Sequence, residues 1–406
     1  MSTEMLVRSV WLERDVNLLE ILPDTNPMSW VRRSKGIVAW GEIARKEFIG
    51  TERFSRAHKW WKDFVATLKI EDLVQTQGSG AIAFASFAFD AFNEPSMVVV
   101  PKYLVGRNEI GSWLTVFGEA DLNQVTADIF SKTYSISSPG KLDFANGALS
   151  DDKWQAAVAN AISRIENGEI DKIVLAKDEV VTSENLIDPR FLMKNLSKNF
   201  DECWTFSVAG LVGATPELLI RKENEQVLSR VLAGTIAISD DSKQMAEQLL
   251  ASEKDISEHE FAVKSVADAL ALHCTNMTVP SDPVVLTLAN LAHLATDVRG
   301  VLVDNAPALA LAGALHPTAA VCGTPKSRAR VLISELEQMD RGRYAGPVGW
   351  FDSEGNGEFG IALRCAHISE NSARLFAGAG IVAGSNPQSE LHEIETKLTA
   401  IKSSLN

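Results

Sequence analysis

The sequence predicts an α+β protein built mainly of antiparallel sheet. Three observations carry that class. Short β-compatible runs recur along the chain, many joined by turns too short for the crossover helix that parallel pairing requires. Helical spacing is confined to a few long stretches. Residues 340–367, DRGRYAGPVGWFDSEGNGEFGIALRCAH, set two β-compatible runs, 346–352 and 358–367, around Ser353-Glu354-Gly355-Asn356-Gly357, the pattern of a β-hairpin. The second run alternates, with Phe359, Ile361, Leu363 and Cys365 on an apolar face and Gly360, Ala362, Arg364 and Ala366 on the other. One Arg on a floor of Gly and Ala leaves room for a flat anion, and a guanidinium binds carboxylates in bidentate fashion. Taken alone, Arg364 reads first as a surface arginine on a half-solvated strand; the rest of the chain reverses that preference.

At 406 residues and 46% hydrophobic content the chain can bury a large core. Acidic residues outnumber basic ones 53 to 39, a net charge of -14. This balance excludes a basic nucleic-acid footprint and an anionic-membrane surface, so an anionic ligand needs a local cationic pocket. Cys203, Cys274, Cys322 and Cys365 are scattered, without metal or disulfide spacing. The N-terminus MSTEMLVRSVWLERD has no signal pattern and no run reaches membrane-spanning length, so the expected location is cytoplasmic.

In chain order, residues 36–40, 81–90, 97–105 and 112–117 read as strands. Residues 53–68 have helical spacing, with Trp60, Phe64 and Leu68 as a core stripe. Residues 135–146 read as a long surface loop, so 1–134 and 147–406 are expected to form one domain. Ser150 caps a helix whose face is Trp154, Val158, Ile162 and Ile165, and Gly168 ends it. Strands follow at 172–181, 204–211, 218–222 and 227–232, then a long helical segment, 242–273. A strand at 284–294, the loop 315–325 and a helix at 327–338 lead into the hairpin. A strand at 374–382 turns into a terminal helix with Pro387 in its first turn and Leu391, Ile394, Leu398, Ile401 and Leu405 as its core stripe.

Several charged residues stand where a solvated-surface reading is strained, although each alone has that reading. Lys172 opens a strand, Glu217 follows a tight turn, Glu258 lies in the long helical segment, and Glu390, Glu393 and Lys397 share one edge of the terminal helix. Glu258 and Glu393 suit a hard divalent cation such as Mg²⁺, which takes few protein oxygens and a substrate anion. Lys172 and Glu217 suit a general base and a general acid; a lysine serves as base at neutral pH only where burial or a neighbouring cation disfavours its charged form. No Gly-rich phosphate loop, H-E-x-x-H or serine elbow is present.

The chain resembles the chorismate-utilising enzymes, and most of all an isochorismate synthase. The segments that carry the resemblance stand in the family's order: DKIVLAK, GATPELLIR, LAGT, SEKDISEHE, HLAT, LHPTAAVCGTP, DRGRYAGPVGW, GEFGIALRCA, AGAGIV and SELHEIETK. They span Lys172 to Lys397; the N-terminal third matches more loosely, through AIAFASFAFD. The resemblance implies the aminodeoxychorismate/anthranilate synthase-like fold, two large antiparallel sheets packed together with helices outside and the active site between them. It implies chorismate as substrate, with Mg²⁺ held by Glu258 and Glu393, and Glu390 close by, on the ring carboxylate. Arg364 and Tyr344, with the Gly378-Ala379-Gly380 backbone, match the positions that hold the enolpyruvyl carboxylate. Thr235 and Lys397 match further pocket residues, and His293 and His316 match pocket histidines.

Two positions separate the relatives. Anthranilate-forming enzymes carry Gln where this chain has Lys172, and aminodeoxychorismate-forming enzymes carry a nucleophilic Lys where it has Ala233. Here the resemblance implies that Lys172 activates water against ring C2 and Glu217 protonates the departing C4 hydroxyl. The expected product is isochorismate, for menaquinone or a catechol siderophore, with no glutamine amidotransferase subunit as partner. Lys177, Ala319 and Met339 depart from the family pattern, none of them at a catalytic position. Salicylate synthase, which follows the same first step with pyruvate elimination, is the near alternative, and a non-catalytic dicarboxylate binder the remote one.

Overall fold

The β-branched and aromatic runs assemble into two large sheets in the computed structural model, which describes residues 4–238, 241–289 and 291–406. The larger runs, edge to edge, Leu142–Asn146, Lys172–Ser183, Ser372–Ile381, Cys365–Ser369, Leu211–Thr215, Trp204–Val208, Met28–Arg32, Lys35–Trp40, Tyr103–Arg107, Ser112–Phe117, Met5–Trp11 and Leu68–Asp72. The smaller runs Cys274–Thr278, Leu291–Leu302, Gln226–Ala237, Leu218–Glu223, Gly357–Ile361, Pro347–Asp352, Ile82–Ser86, Ser96–Val100 and Ala44–Phe48. Among the described residues nearly all pairings are antiparallel; Met5–Trp11 with Leu68–Asp72 is parallel. One apolar core, from Val7 to Leu405, joins the sheets and the flanking helices. The first third of the chain pairs directly with the rest: Phe206 faces Trp30 in one sheet, and Trp350 faces Phe84 in the other.

The hairpin at 346–367 departs from expectation in the way that matters most. Its first strand, Pro347–Asp352, pairs with Gly357–Ile361 in the smaller sheet. The expected single second strand ends there. Residues 362–364 leave that ladder, and Cys365–Ser369 resumes in the larger sheet. Period-two alternation requires one continuous ladder, so it does not carry across this change of sheet. Arg364 sits at the crossing with φ 46°, a left-handed conformation that an arginine adopts only where its surroundings enforce it.

Other boundaries move for local reasons. Residues 97–105 divide into Ser96–Val100 and Tyr103–Arg107, and 204–211 is a hairpin of Trp204–Val208 and Leu211–Thr215. The expected loop 135–146 holds the strand Leu142–Asn146, and 284–294 holds Val284–Thr287 and the start of Leu291–Leu302. The segment 242–273 is two helices, Ser242–Leu250 and Glu253–Leu270, because Ser252 caps the second by accepting from the Asp255 N–H. On Arg53–Val65 the buried side chains are Arg53, Ala57 and Trp61, not the Trp60 stripe. The terminal helix Pro387–Leu405 is as expected: Asn386 caps it and all five stripe residues are buried.

Candidate active site

A cavity lies where these pieces meet, lined by apolar and glycine positions with a few convergent polar groups, the make-up of a small-molecule site. Its walls come from the strands Gln226–Ala237, Leu291–Leu302 and Ser372–Ile381, the crossing at 362–364, and the helices Glu253–Leu270 and Pro387–Leu405. Gly378 and Gly380 form a bare floor. A Cβ at Gly378 would stand 2.9 Å from the Tyr344 hydroxyl, and one at Gly380 would clash with the Glu258 carboxylate. Tyr344 is held by stacking on Phe376 at 5.0 Å, and burial raises its pKa.

Arg364 is buried and enters this cavity through its neighbours. Its Nη2 donates to His293 Nε2 at 2.6 Å, and His293 Nδ1 meets Thr235 Oγ1 at 3.1 Å. Burial first, then Arg364 and Lys397, push the His293 pKa well below its ordinary value, so the ring is neutral. With Nε2 accepting, the network assigns the remaining proton to Nδ1, facing Thr235. A β-bulge between Ala233 and Thr235 sets Thr235 opposite His293. Gly234 makes the bulge with φ +75°, tight against Asp255.

Glu217 follows Pro216 and is pinned by its own backbone, whose N–H donates to Thr215 Oγ1 at 3.3 Å and whose carbonyl accepts from the Ile361 N–H at 3.2 Å. The residue is 4% exposed. Burial pushes its pKa up to about 8, against a backbone hydrogen bond from Leu232 and the charges of Lys172, Lys397 and Arg364. At neutral pH this acid keeps its proton. Ala233, beside it in the cavity wall, presents only a methyl group.

The remaining charges pair off. Lys172, fully buried at the start of its strand, donates to the Glu258 carbonyl at 3.3 Å and lies 3.2 Å from Glu258 Oε1. Lys397 contacts Glu393 at 2.5 Å and the Gly378 carbonyl at 2.9 Å. Lys254 contacts Glu390 at 2.5 Å, a partner the sequence reading missed although its i, i+4 spacing from Glu258 was in plain view. Burial works against the Glu258 charge, but Lys172, Lys397 and Lys254 outweigh it and hold its pKa below the usual carboxylate value.

Glu217, Thr235, Glu258, His293, Tyr344, Arg364, Gly378, Gly380 and Lys397 thus line one cavity, while Lys172, Glu390 and Glu393 stand just behind it. Ala379, expected to contribute its backbone, turns its methyl to the face opposite Gly378 and Gly380. One expectation fails. His316 is outside the cavity, with Nε2 on the Phe89 carbonyl at 3.0 Å. Cys203, also missed, lies 3.7 Å from Arg364 Nη1 behind the cavity.

The donor chemistry around Glu258, Glu390 and Glu393 suits a hard divalent cation: three carboxylates from two helices, oxygen donors only, with the bare Gly380 leaving the Glu258 carboxylate its space. Among the described residues each of the three faces a lysine, and no three acidic, His or Cys groups surround one point as ligands.

Two packed antiparallel sheets with a glycine-floored cavity at their junction, presenting Arg364 and Lys397, describe an enzyme with a buried small-molecule site, and the chain belongs to the chorismate binding enzyme family, whose model matches residues 21–406. Isochorismate synthase MenF of Bacillus subtilis is 32% identical to it over 384 residues, 87% of this chain and 82% of that protein. Isochorismate synthase DhbC of the same organism is 38% identical over 281 residues, 65% of this chain and 68% of that one. The structure of MenF, the menaquinone-specific isochorismate synthase of Escherichia coli, shares the fold with a TM-score of 0.80 at 24% identity, over 100% of this chain and 95% of that one.

Proposed function

We propose that this protein is an isochorismate synthase that converts chorismate to isochorismate, by water attack at ring C2 and loss of the C4 hydroxyl. The observation that carries the reading is Glu217, a buried acid that keeps its proton at neutral pH inside a cavity that also presents Arg364 and Lys397. The isochorismate synthases among its relatives support the same product.

In this mechanism Arg364, oriented by His293, holds one carboxylate of the substrate, with Tyr344 beside it. Lys172, acting from its neutral amine rather than from the ammonium that pairs with Glu258, takes a proton from the attacking water, and Glu217 gives its proton to the departing hydroxyl, which leaves as water. One water enters and one leaves, so nothing is oxidised or reduced. Mg²⁺ held by Glu258 and Glu393, with Glu390 close by, would supply positive charge to the ring carboxylate. Ala233 offers no amine, which leaves water as the nucleophile. In the reverse direction the Glu217 carboxylate is the base and the Lys172 ammonium the acid.

The same reading makes the chain one chorismate-utilising domain that works in the cytoplasm without an amidotransferase subunit, its product directed to menaquinone or a catechol siderophore. The test is product analysis by chromatography, with a pyruvate assay, after incubation with chorismate and Mg²⁺. The expected result is a mixture of chorismate and isochorismate, reached from either side without pyruvate, and no turnover in excess chelator. Stoichiometric pyruvate and salicylate would make it a salicylate synthase, and full activity in chelator would remove the metal.

A further inference from the structure

The three carboxylates assigned to the metal are matched by three ammonium groups, and these are not equivalent. Lys172 is fully buried and also bonded to the Glu258 carbonyl; Lys397 is also bonded to the Gly378 carbonyl. Both are anchored to backbone. Among the described residues Lys254 is held by Glu390 alone, and its side chain is one-third exposed whereas Glu390 is 1% exposed. It is the most exposed of the three, ahead of Lys397 at 19%.

Lys254 and Glu258 lie one turn apart on Glu253–Leu270, and Glu390 and Glu393 one turn apart on Pro387–Leu405, so the Lys254–Glu390 pair joins the two helices that carry the carboxylates. Three ammonium groups balance three carboxylates. A dication added to this neutral set would leave an excess of two positive charges, which the withdrawal of one ammonium halves, and the exposed, singly held Lys254 withdraws most easily.

We propose that Lys254 is the resident cation of the carboxylate cluster: it holds Glu390 in place in the metal-free enzyme, gives way when a divalent metal binds, and so sets the metal's affinity. This rests on the metal reading above. A lysine that merely tied the two helices together would predict the opposite effect of its removal.

Isothermal titration with Mg²⁺ alone, without substrate, separates the two roles. Lys254→Met is expected to bind Mg²⁺ at least about tenfold more tightly than the wild type, because a like charge is gone from the site, and Lys254→Arg to stay within about threefold of it. Equal or weaker binding by Lys254→Met overturns the proposal. A second measurement needs no variant: acetylation of the wild type by an amine-reactive reagent, read by mass spectrometry, should increase at Lys254 when Mg²⁺ saturates the protein. Unchanged labelling in metal-saturated protein likewise overturns it. A wild type that binds no Mg²⁺, alone or with chorismate, overturns the metal reading itself.

Discussion

Single side chains in this cavity combine groups whose burial would be unfavourable if each were not assigned a partner or a task. Lys172→Ala removes the assigned base but no carboxylate-holding group, so kcat should fall by ~10²–10⁴-fold with chorismate affinity largely kept. Steady-state kinetics with an equilibrium binding measurement checks both parts; a variant with half the wild-type kcat would return Lys172 to a structural role. Glu217 carries a pH prediction. It must hold its proton to donate it, and that proton is lost as pH rises through about 8, so the forward rate should decline above that pH. The same shift acts on stability. The unfolded carboxyl ionises near its ordinary value of 4.5 while the folded one waits until about 8, so between those values stability falls as pH rises, and it is level beyond them. Glu217→Gln should therefore be inactive yet more stable at pH 8, by on the order of 3–5 kcal/mol, read by denaturant unfolding. A less stable, still active variant would contradict both statements.

At the scale of elements, the site depends on where strands and helices touch. The strand Ser372–Ile381 brings bare glycines beneath helix Glu253–Leu270, and Gly380 gives Glu258 its space. Gly380→Ala asks nothing unusual of an extended backbone, but its methyl would occupy the place of the Glu258 carboxylate. The variant should fold with a melting temperature within a few degrees of the wild type and lose at least about tenfold in kcat/KM, since misplacing a site group by an ångström is enough for such losses. Kinetics beside a thermal melt tests this; wild-type activity would mean that Glu258 has room to move without consequence.

Across the whole molecule, the first third of the chain is not an appendage. Its strands sit inside both sheets, and Trp30 Nε1 donates to Glu358 at 2.8 Å, bonding a strand of the larger sheet to one of the smaller. If the chain is one domain, unfolding should be a single cooperative transition by calorimetry and by tryptophan fluorescence, with coincident midpoints. Two separated transitions would divide it near residue 135.

Local physics made much of this legible from the sequence. The Ser150 cap, the Pro387 start and the terminal helix stripe follow from sterics and hydrogen bonds over a few residues, and they stand as read. The motif residues, too, were nameable in advance, and most of them meet in one cavity. What the sequence left undetermined spans long separations. The chain changes sheets at 362–364, His293 meets Arg364 across 71 residues, and Lys254 meets Glu390 across 136. Periodicity shows which face a residue occupies within its own ladder, not which ladder it joins or which charge will face it. Those outcomes are set by the packing of one sheet on the other, where every buried charge must find a partner that no local pattern encodes.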